Sequence, residues 1–280
     1  MKRQFLDLGR QPIANGFLEK ENILNEYFFH LRVHFDDETC LVSLVDFVPP
    51  EKMFNDEYVY HSSLSNTMQN HFKDTATSFK EQFDPDTVLE IGSNDGVFIR
   101  HFSPDKTTAV EPCGNFAKIT NDLGYHTYAE FWNTKTAKAI VEEKGKQDLI
   151  FSANCMCHIQ DLDDAFTSIR NVLSDDGVFI FEDPSLLEMI KRGSYDQIYD
   201  EHAHIFSTIA LNNILTKNGL EIFKIEKLAV HGGSNRIYSK KIESNRWKID
   251  NSVEDNYNIE REYGLGTFET YVKFAERVAK

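Results

Sequence analysis

Cysteine is scarce in this chain: there are four in 280 residues, and none sits in a Cys-x-x-Cys pair. That excludes a disulfide scaffold and the paired-thiolate zinc sites of small metal domains, and it fits a reducing, cytoplasmic compartment. Positive charge is also short. Thirty Lys and Arg face 45 Asp and Glu, a formal net charge of −15, so neither a nucleic-acid backbone nor an anionic membrane is expected as a partner. No apolar run approaches the roughly 20 residues that span a bilayer. The start, MKRQFLDLGRQP, lacks the apolar stretch of a secretory leader. No internal repeat and no low-complexity segment is present. What is there is a 41% hydrophobic chain, long enough for one large core or two smaller ones.

The organisation of the text changes near residue 84. Before it, VSLVDFVPPEKMF and EYVYHSSLS offer short strand-like runs and turn residues but no long periodic helix. After it, TVLEIG, TTAVEP, DLIFSANC and GVFIFEDP are short and almost continuously apolar, as strands buried on both faces should be. Helical patterns over 115–123, 134–143 and 162–173 lie between them. Such alternation predicts crossover units and a parallel α/β sheet. Two more strands, near 220–230 and 235–242, are joined by HGGS, and the stretch 244–280 reads as helix. The expected division is a small amino-terminal domain over 1–83, a ligand-binding α/β domain over 84–243 and a helical segment over 244–280.

The most informative piece is VLEIGSNDGVF, Val88 to Phe98. A strand ends at Glu90-Ile91-Gly92 and a helix is expected past Gly96. Glycine permits a sharp turn and close approach of a ligand to the backbone, and the carboxyl end of a first strand is where open α/β sheets bind ligands. Glu111 ends the second strand, where a carboxylate can accept both hydroxyls of a ribose. Nicotinamide-binding folds place an acid similarly, so the acid alone does not choose the cofactor. The turn does: GSNDG lacks the GxGxxG that seats a pyrophosphate. Carboxylates at Glu90 and Asp95 would repel a diphosphate and suit a cationic, phosphate-free ligand such as S-adenosylmethionine. The bland alternative makes Glu90 a strand-end carboxylate and Glu111 a solvated loop acid.

Several segments together, LEIGSNDG, Glu111–Pro112, SANCMCHI, FEDP, DQIYDEH and HGGSNR, resemble the motifs of sugar C-methyltransferases, which act on nucleotide-linked keto-deoxysugars; LGRQPIANGF and EYVYHSSLS resemble that family's amino-terminal domain. The resemblance covers nearly the whole chain, in order. It implies a class I S-adenosylmethionine-dependent methyltransferase with a Rossmann-like sheet and a small amino-terminal domain. The cofactor residues it implies are Glu90, Gly92, Asn94, Glu111, Phe131 and Asn154. Two departures stand out. The family's amino-terminal domain carries a four-cysteine zinc site, whereas here only Cys40 remains in HFDDETCLV. One thiolate does not make a tetrahedral zinc site, so no zinc is expected, a site rebuilt from His34, Asp36 and Cys40 being the exception to watch for. The family also continues into a further α/β domain, so this sequence is either a shortened piece or a reduced version with a more open acceptor site.

The densest stretch of chemistry is YDQIYDEHAHIFS, residues 195–207. The resemblance implies that Tyr199, Glu201 and His202 face the acceptor sugar, with His158 joining from the end of the fourth strand. The residue types suit the chemistry. A carbon–carbon bond to an electrophilic methyl group needs a carbanion equivalent, so a proton next to a ketone must leave first. A histidine has the intrinsic pKa for that near neutral pH, and a phenol or second imidazole can donate to the enolate oxygen. Either His202 or His158 is the base, with His202 preferred; Glu201 orients an imidazole or binds sugar hydroxyls. Tyr58 and Tyr60 of the small domain are candidate core aromatics, with Tyr60 alternatively a lid residue reaching into the sugar site. The HGGS turn, with His231 and Arg236, either cradles a sugar diphosphate or is a plain hairpin turn. His204 is read as structural or solvent-facing, and Cys155 and Cys157 as packing. Methyl transfer to O or N of another small acceptor, or sugar-nucleotide binding without catalysis, are the competing readings.

Overall fold

The computed structural model describes residues 1–280. Its amino-terminal part holds strands β1 (Lys2–Pro12), β2 (Phe28–Asp36) and β3 (Val42–Leu44), the short helix α1 (Pro50–Met53) and helix α2 (Asn66–Phe83). Phe29, Leu31, Val33 and Phe35 are all buried, because alternate positions of a strand share one face. The antiparallel order is β1-β2-β3, and the fourth strand comes from far along the chain: β9 (His204–Ile205) pairs with β3 through Val42 with Ile205 and Ser43 with His204. The densest catalytic-looking loop is therefore stitched to the amino-terminal sheet.

Next come β4 (Val88–Ile91), β5 (Thr107–Val110), helix α3 (Gly114–Asp122), β6 (His126–Tyr128), helix α4 (Thr134–Lys144), β7 (Gln147–Ala153), helix α5 (Leu162–Val172) and β8 (Leu173–Pro184). Helix α6 (Leu186–Arg192), helix α7 (Thr208–Lys217), β10 (Leu220–Leu228), β11 (Ser234–Lys241), helix α8 (Asn251–Tyr263) and helix α9 (Phe268–Val278) complete the chain. The seven-stranded sheet runs β10-β11-β8-β7-β4-β5-β6. The pairs among β8, β7, β4, β5 and β6 are parallel, and β11 is antiparallel to both its neighbours. From β4 the order proceeds outward on one side through β5 and β6 and on the other through β7 and β8. The crevice at that switch point, beyond the carboxyl ends of the strands, is where such sheets bind ligands.

Two elements differ from the expectation. Helix α2 is 18 residues long, where the sequence showed no long helix before residue 84. Its inward face is Met68, Phe72, Thr75, Ala76 and Phe79, a 3.6-residue period in which Thr and Ala fill places that a pattern search expects to be strongly apolar. Ser65 caps it by accepting from the Met68 N–H. Phe72 and Phe79 pack with Val88, Phe98 and Phe151 in the core of the seven-stranded sheet, and burying each contributes about 2 kcal/mol. Past Gly96, in place of a helix, there is only a single 3₁₀ turn, Ile99–His101. At the other end, Tyr271 and Phe274 of α9 pack into the core of the four-stranded sheet, with Tyr271 stacked on Phe35 at 4.6 Å. No helix is long and apolar enough to cross a membrane.

Candidate active site

A cavity of about 730 Å³ opens at the carboxyl ends of β4, β5 and β7. One wall comes from the cofactor-type turn. Gly92 has φ +75°, and a Cβ there would lie 2.7 Å from the Cys155 sulfur, so the turn needs glycine for both its conformation and its packing. Cys155 thus has the packing role read from the sequence. Asn94 and Asn154 also take left-handed backbone, φ 48° and 49°, a strain that residues with short polar side chains tolerate best. Both line the cavity. The Glu111 carboxylate accepts from the Asn94 N–H at 2.7 Å and the Cys113 N–H at 2.9 Å. Burial raises its pKa, and those two amides pull it back.

These residues fit a sulfonium nucleoside. The acid at the end of β5 is fixed by amides and retains acceptor capacity; Asn154 Oδ1 is buried without a partner; and the residues lining the cavity include Glu111, Asp161, Asp196 and Glu201 but no Lys or Arg. A diphosphate would meet acids and no cation there. Phe131 lines the same wall and is partly exposed.

Another part of the lining comes from the 195–207 loop. His202 Nδ1 lies 2.7 Å from the Gln197 carbonyl oxygen. A carbonyl only accepts, so Nδ1 carries the proton and Nε2 is the nitrogen with the free lone pair. Burial depresses the His202 pKa to about 4, which keeps the ring neutral at ordinary pH. The His158 ring stands 5.4 Å from His202 and 5.2 Å from Phe54, stacked on both. Burial, then His202, pushes its pKa well below the usual value. Tyr199 packs against His202 with ring centroids 4.3 Å apart, and burial raises its pKa, so it remains a donor. Glu201 accepts from Asn15 Nδ2 at 2.6 Å and from the Tyr58 hydroxyl at 3.0 Å. Asp200 accepts from the Ala14 N–H.

The segment 56–63 ties the two parts of the lining together. Asp56 accepts from the Gly114 N–H, the Tyr58 carbonyl from Asn115, and the Tyr60 carbonyl from Asn94. Ser63 donates to Asp95. Tyr60 lines the cavity and is 45% exposed, so it is not a core aromatic. Tyr58, expected as a core aromatic, instead lines the cavity and donates to Glu201; Asn15 was not singled out in the sequence, the signal available for it being a lone amide inside the family-like ANG turn.

Two expected site residues lie elsewhere. Glu90 does not line the cavity. It is a strand-interior acid, 3% exposed, and burial followed by its neighbour Glu111 raises its pKa strongly. Arg236 does not face a ligand either. Its guanidinium donates to Glu182 at 2.7 Å, Glu226 at 3.1 Å and Thr75 at 2.6 Å, so a β11 residue that sequence spacing placed beside the turn is consumed by a buried network. His231 does line the cavity. The glycine turn packs on the 195–207 loop: a Cβ on Gly232 would meet Gln197 Nε2 at 2.9 Å. His204 holds Ser43 at 2.8 Å and the Gln160 carbonyl at 3.2 Å and is buried, so of its two expected positions it takes the structural and not the solvent-facing one. Cys40 ends the β2–β3 hairpin with φ 59° and packs on the small core.

A family model described as "Methyltransferase domain" matches residues 64–225, and one described as "Putative zinc binding domain" matches 1–54. The first spans more than half of the chain. The chain belongs to the methyltransferase-domain family, and its sheet is that of class I S-adenosylmethionine-dependent methyltransferases. It is 26% identical over 276 residues to C-methyltransferase NovU of Streptomyces niveus, covering 96% of this chain and 65% of that protein. The chain therefore spans about two thirds of the length of this curated relative, whose likeness supports the resemblance to sugar C-methyltransferases. Among solved structures it is similar to an S-adenosylmethionine-dependent methyltransferase of Clostridium acetobutylicum, at 14% identity and TM-score 0.49, over 62% of this chain and 92% of that one. It is also similar to magnesium protoporphyrin IX methyltransferase of Synechocystis PCC 6803, at 10% identity and TM-score 0.45, over 62% and 83%.

Proposed function

We propose that the protein transfers a methyl group from S-adenosylmethionine to the carbon next to the ketone of a nucleotide-linked keto-deoxysugar, in the cytoplasm. The observation that carries this reading is the grouping of His202, His158 and Tyr199 in the same cavity that Gly92, Glu111 and Asn154 line. Transfer to oxygen or nitrogen needs one base at most and has no use for this set. The likeness to a protein named a C-methyltransferase supports the same choice.

Glu111 would take the ribose hydroxyls of the cofactor, the Gly92 backbone and Asn154 its amino-acid end, and Phe131 the adenine, with Asn94 bracing Glu111. The cofactor, when bound, supplies an electrophilic methyl group. His202 Nε2 removes the proton from the carbon next to the ketone. Burial keeps that imidazole neutral but also makes it a weak base, so stabilising the enolate oxygen matters more than usual. Tyr199 and His158 supply the donors for it. Glu201, held by Asn15 and Tyr58, accepts from ring hydroxyls. Without Lys or Arg in the lining, the sugar ring enters the cavity and the diphosphate stays outside it. The amino-terminal domain holds no zinc in this reading, since Cys40 is its single thiol.

The test is the position of the new methyl group. With a ¹³C-methyl donor and a nucleotide-linked 4-ketosugar, carbon NMR should show the label on a ring carbon. Label on oxygen or nitrogen would overturn the reading in favour of the alternative acceptor chemistry.

A further inference from the structure

One group of three metal-type ligands converges in the chain, and it lies at the cavity, on residues outside the segment matched by the zinc-binding family model. One ligand atom each from Cys157, His158 and His202 lie within 4.8 Å of one another. We propose that these three residues form a site for a zinc-type divalent cation, and that a cation held there shuts the enzyme off reversibly by occupying His202.

A thiolate with two imidazoles is a donor set that selects zinc over calcium or magnesium. At zinc–sulfur and zinc–nitrogen distances of about 2.3 and 2.0 Å in a tetrahedron, the ligand atoms need to draw together by at most about 1.5 Å. The surroundings already suit it. His202 donates its Nδ1 proton to the Gln197 carbonyl, the outer-shell bond that metal-bound histidines usually make, and so leaves Nε2 for the ion. His158 Nε2 is buried and has no hydrogen-bond partner, an unmet polar group that a cation would satisfy. Both rings line the cavity, so the fourth, tetrahedral position opens toward water or acceptor. Cys157 is buried behind them and is not part of the lining. Binding replaces the thiol proton by the metal–sulfur bond and releases one proton to solvent.

The inhibitory part rests on the reading of His202 as the base; the binding part does not. A metal ion on Nε2 uses the lone pair that would accept the substrate proton.

Cobalt(II) titration of the metal-stripped full chain tests the site. One equivalent should give tetrahedral cobalt bands together with a thiolate-to-cobalt charge-transfer band, and zinc should displace both. Cys157→Ser should lose the charge-transfer band and bind at least about tenfold more weakly, with Cys157→Ala as a second variant and circular dichroism confirming that each is folded. Cys40→Ser should behave as wild type. Absence of the band in wild type, or its loss in Cys40→Ser but not in Cys157→Ser, would overturn the site. In the assay, zinc should suppress methyl transfer over the range in which it displaces cobalt, and a chelator should restore it. Cobalt bound through Cys157 with methyl transfer untouched would leave the site standing and overturn the role given to His202.

Discussion

His202→Asn is expected to lower kcat for methyl transfer by about 10²–10⁴-fold, the usual worth of a positioned general base, while S-adenosylhomocysteine binds with unchanged affinity. The split follows from position: His202 stands on the 195–207 loop and makes none of the hydrogen bonds that fix the Glu111 carboxylate and its turn. Its Nδ1 is committed to the Gln197 carbonyl, so only Nε2 can take a proton, and asparagine offers no equivalent lone pair at that place. His158→Asn should cost less, because that ring contributes a donor to the enolate oxygen and is held by Phe54 and His202. Steady-state kinetics with calorimetry on both variants checks the order. A larger loss in His158→Asn would exchange the two assignments.

Glu111→Ala should weaken S-adenosylhomocysteine binding by about 10–100-fold, in line with hydrogen bonds to a charged group worth roughly 1.5–3 kcal/mol. The carboxylate is fixed by the Asn94 and Cys113 amides, so its removal frees two buried N–H groups and takes away the acceptor proposed for the ribose. The substitution also loosens the turn that Asn94 shares with Tyr60 and Ser62. Titration calorimetry reads the effect. Full affinity in the variant would remove Glu111 from the cofactor site, and binding of a reduced nicotinamide cofactor by wild type would overturn the cofactor assignment itself.

The parallel sheet and its glycine turn were readable from the sequence because buried strands are continuous apolar runs, and because Gly92 answers both to a positive φ and to the Cys155 sulfur beneath it. Helix α2 was not, since Thr75 and Ala76 occupy core-facing places without raising the apolar count. Its packing on the seven-stranded sheet leads us to propose a domain division near residue 64, and not at 83, with the carboxy-terminal helix α9 joined to the amino-terminal core. The loop residues Tyr199, Glu201 and His202 were found by motif, and their cavity position is now visible. What holds them was invisible: Asn15 and Tyr58 reach Glu201 from 186 and 143 positions away, and local pattern says nothing about such pairs. Arg236 was misplaced for the same reason, because its partner Thr75 is 161 positions distant. Glu90 shows the limit of reading charge from spacing. An acid within a four-residue strand buried at every position belongs to the interior, however close it stands to a turn.

The claim that proton removal precedes methyl transfer is open to one direct measurement. Wild-type protein, S-adenosylhomocysteine and a nucleotide-linked 4-ketosugar are incubated in D₂O, where no methyl group is available, and the sugar is followed by proton NMR. One carbon-bound hydrogen next to the ketone should exchange for deuterium faster than in the protein-free control, and His202→Asn should bring the rate back to that control. Methylation of the same sugar in D₂O with no exchange under these conditions, or exchange at the full rate in His202→Asn, would contradict the mechanism.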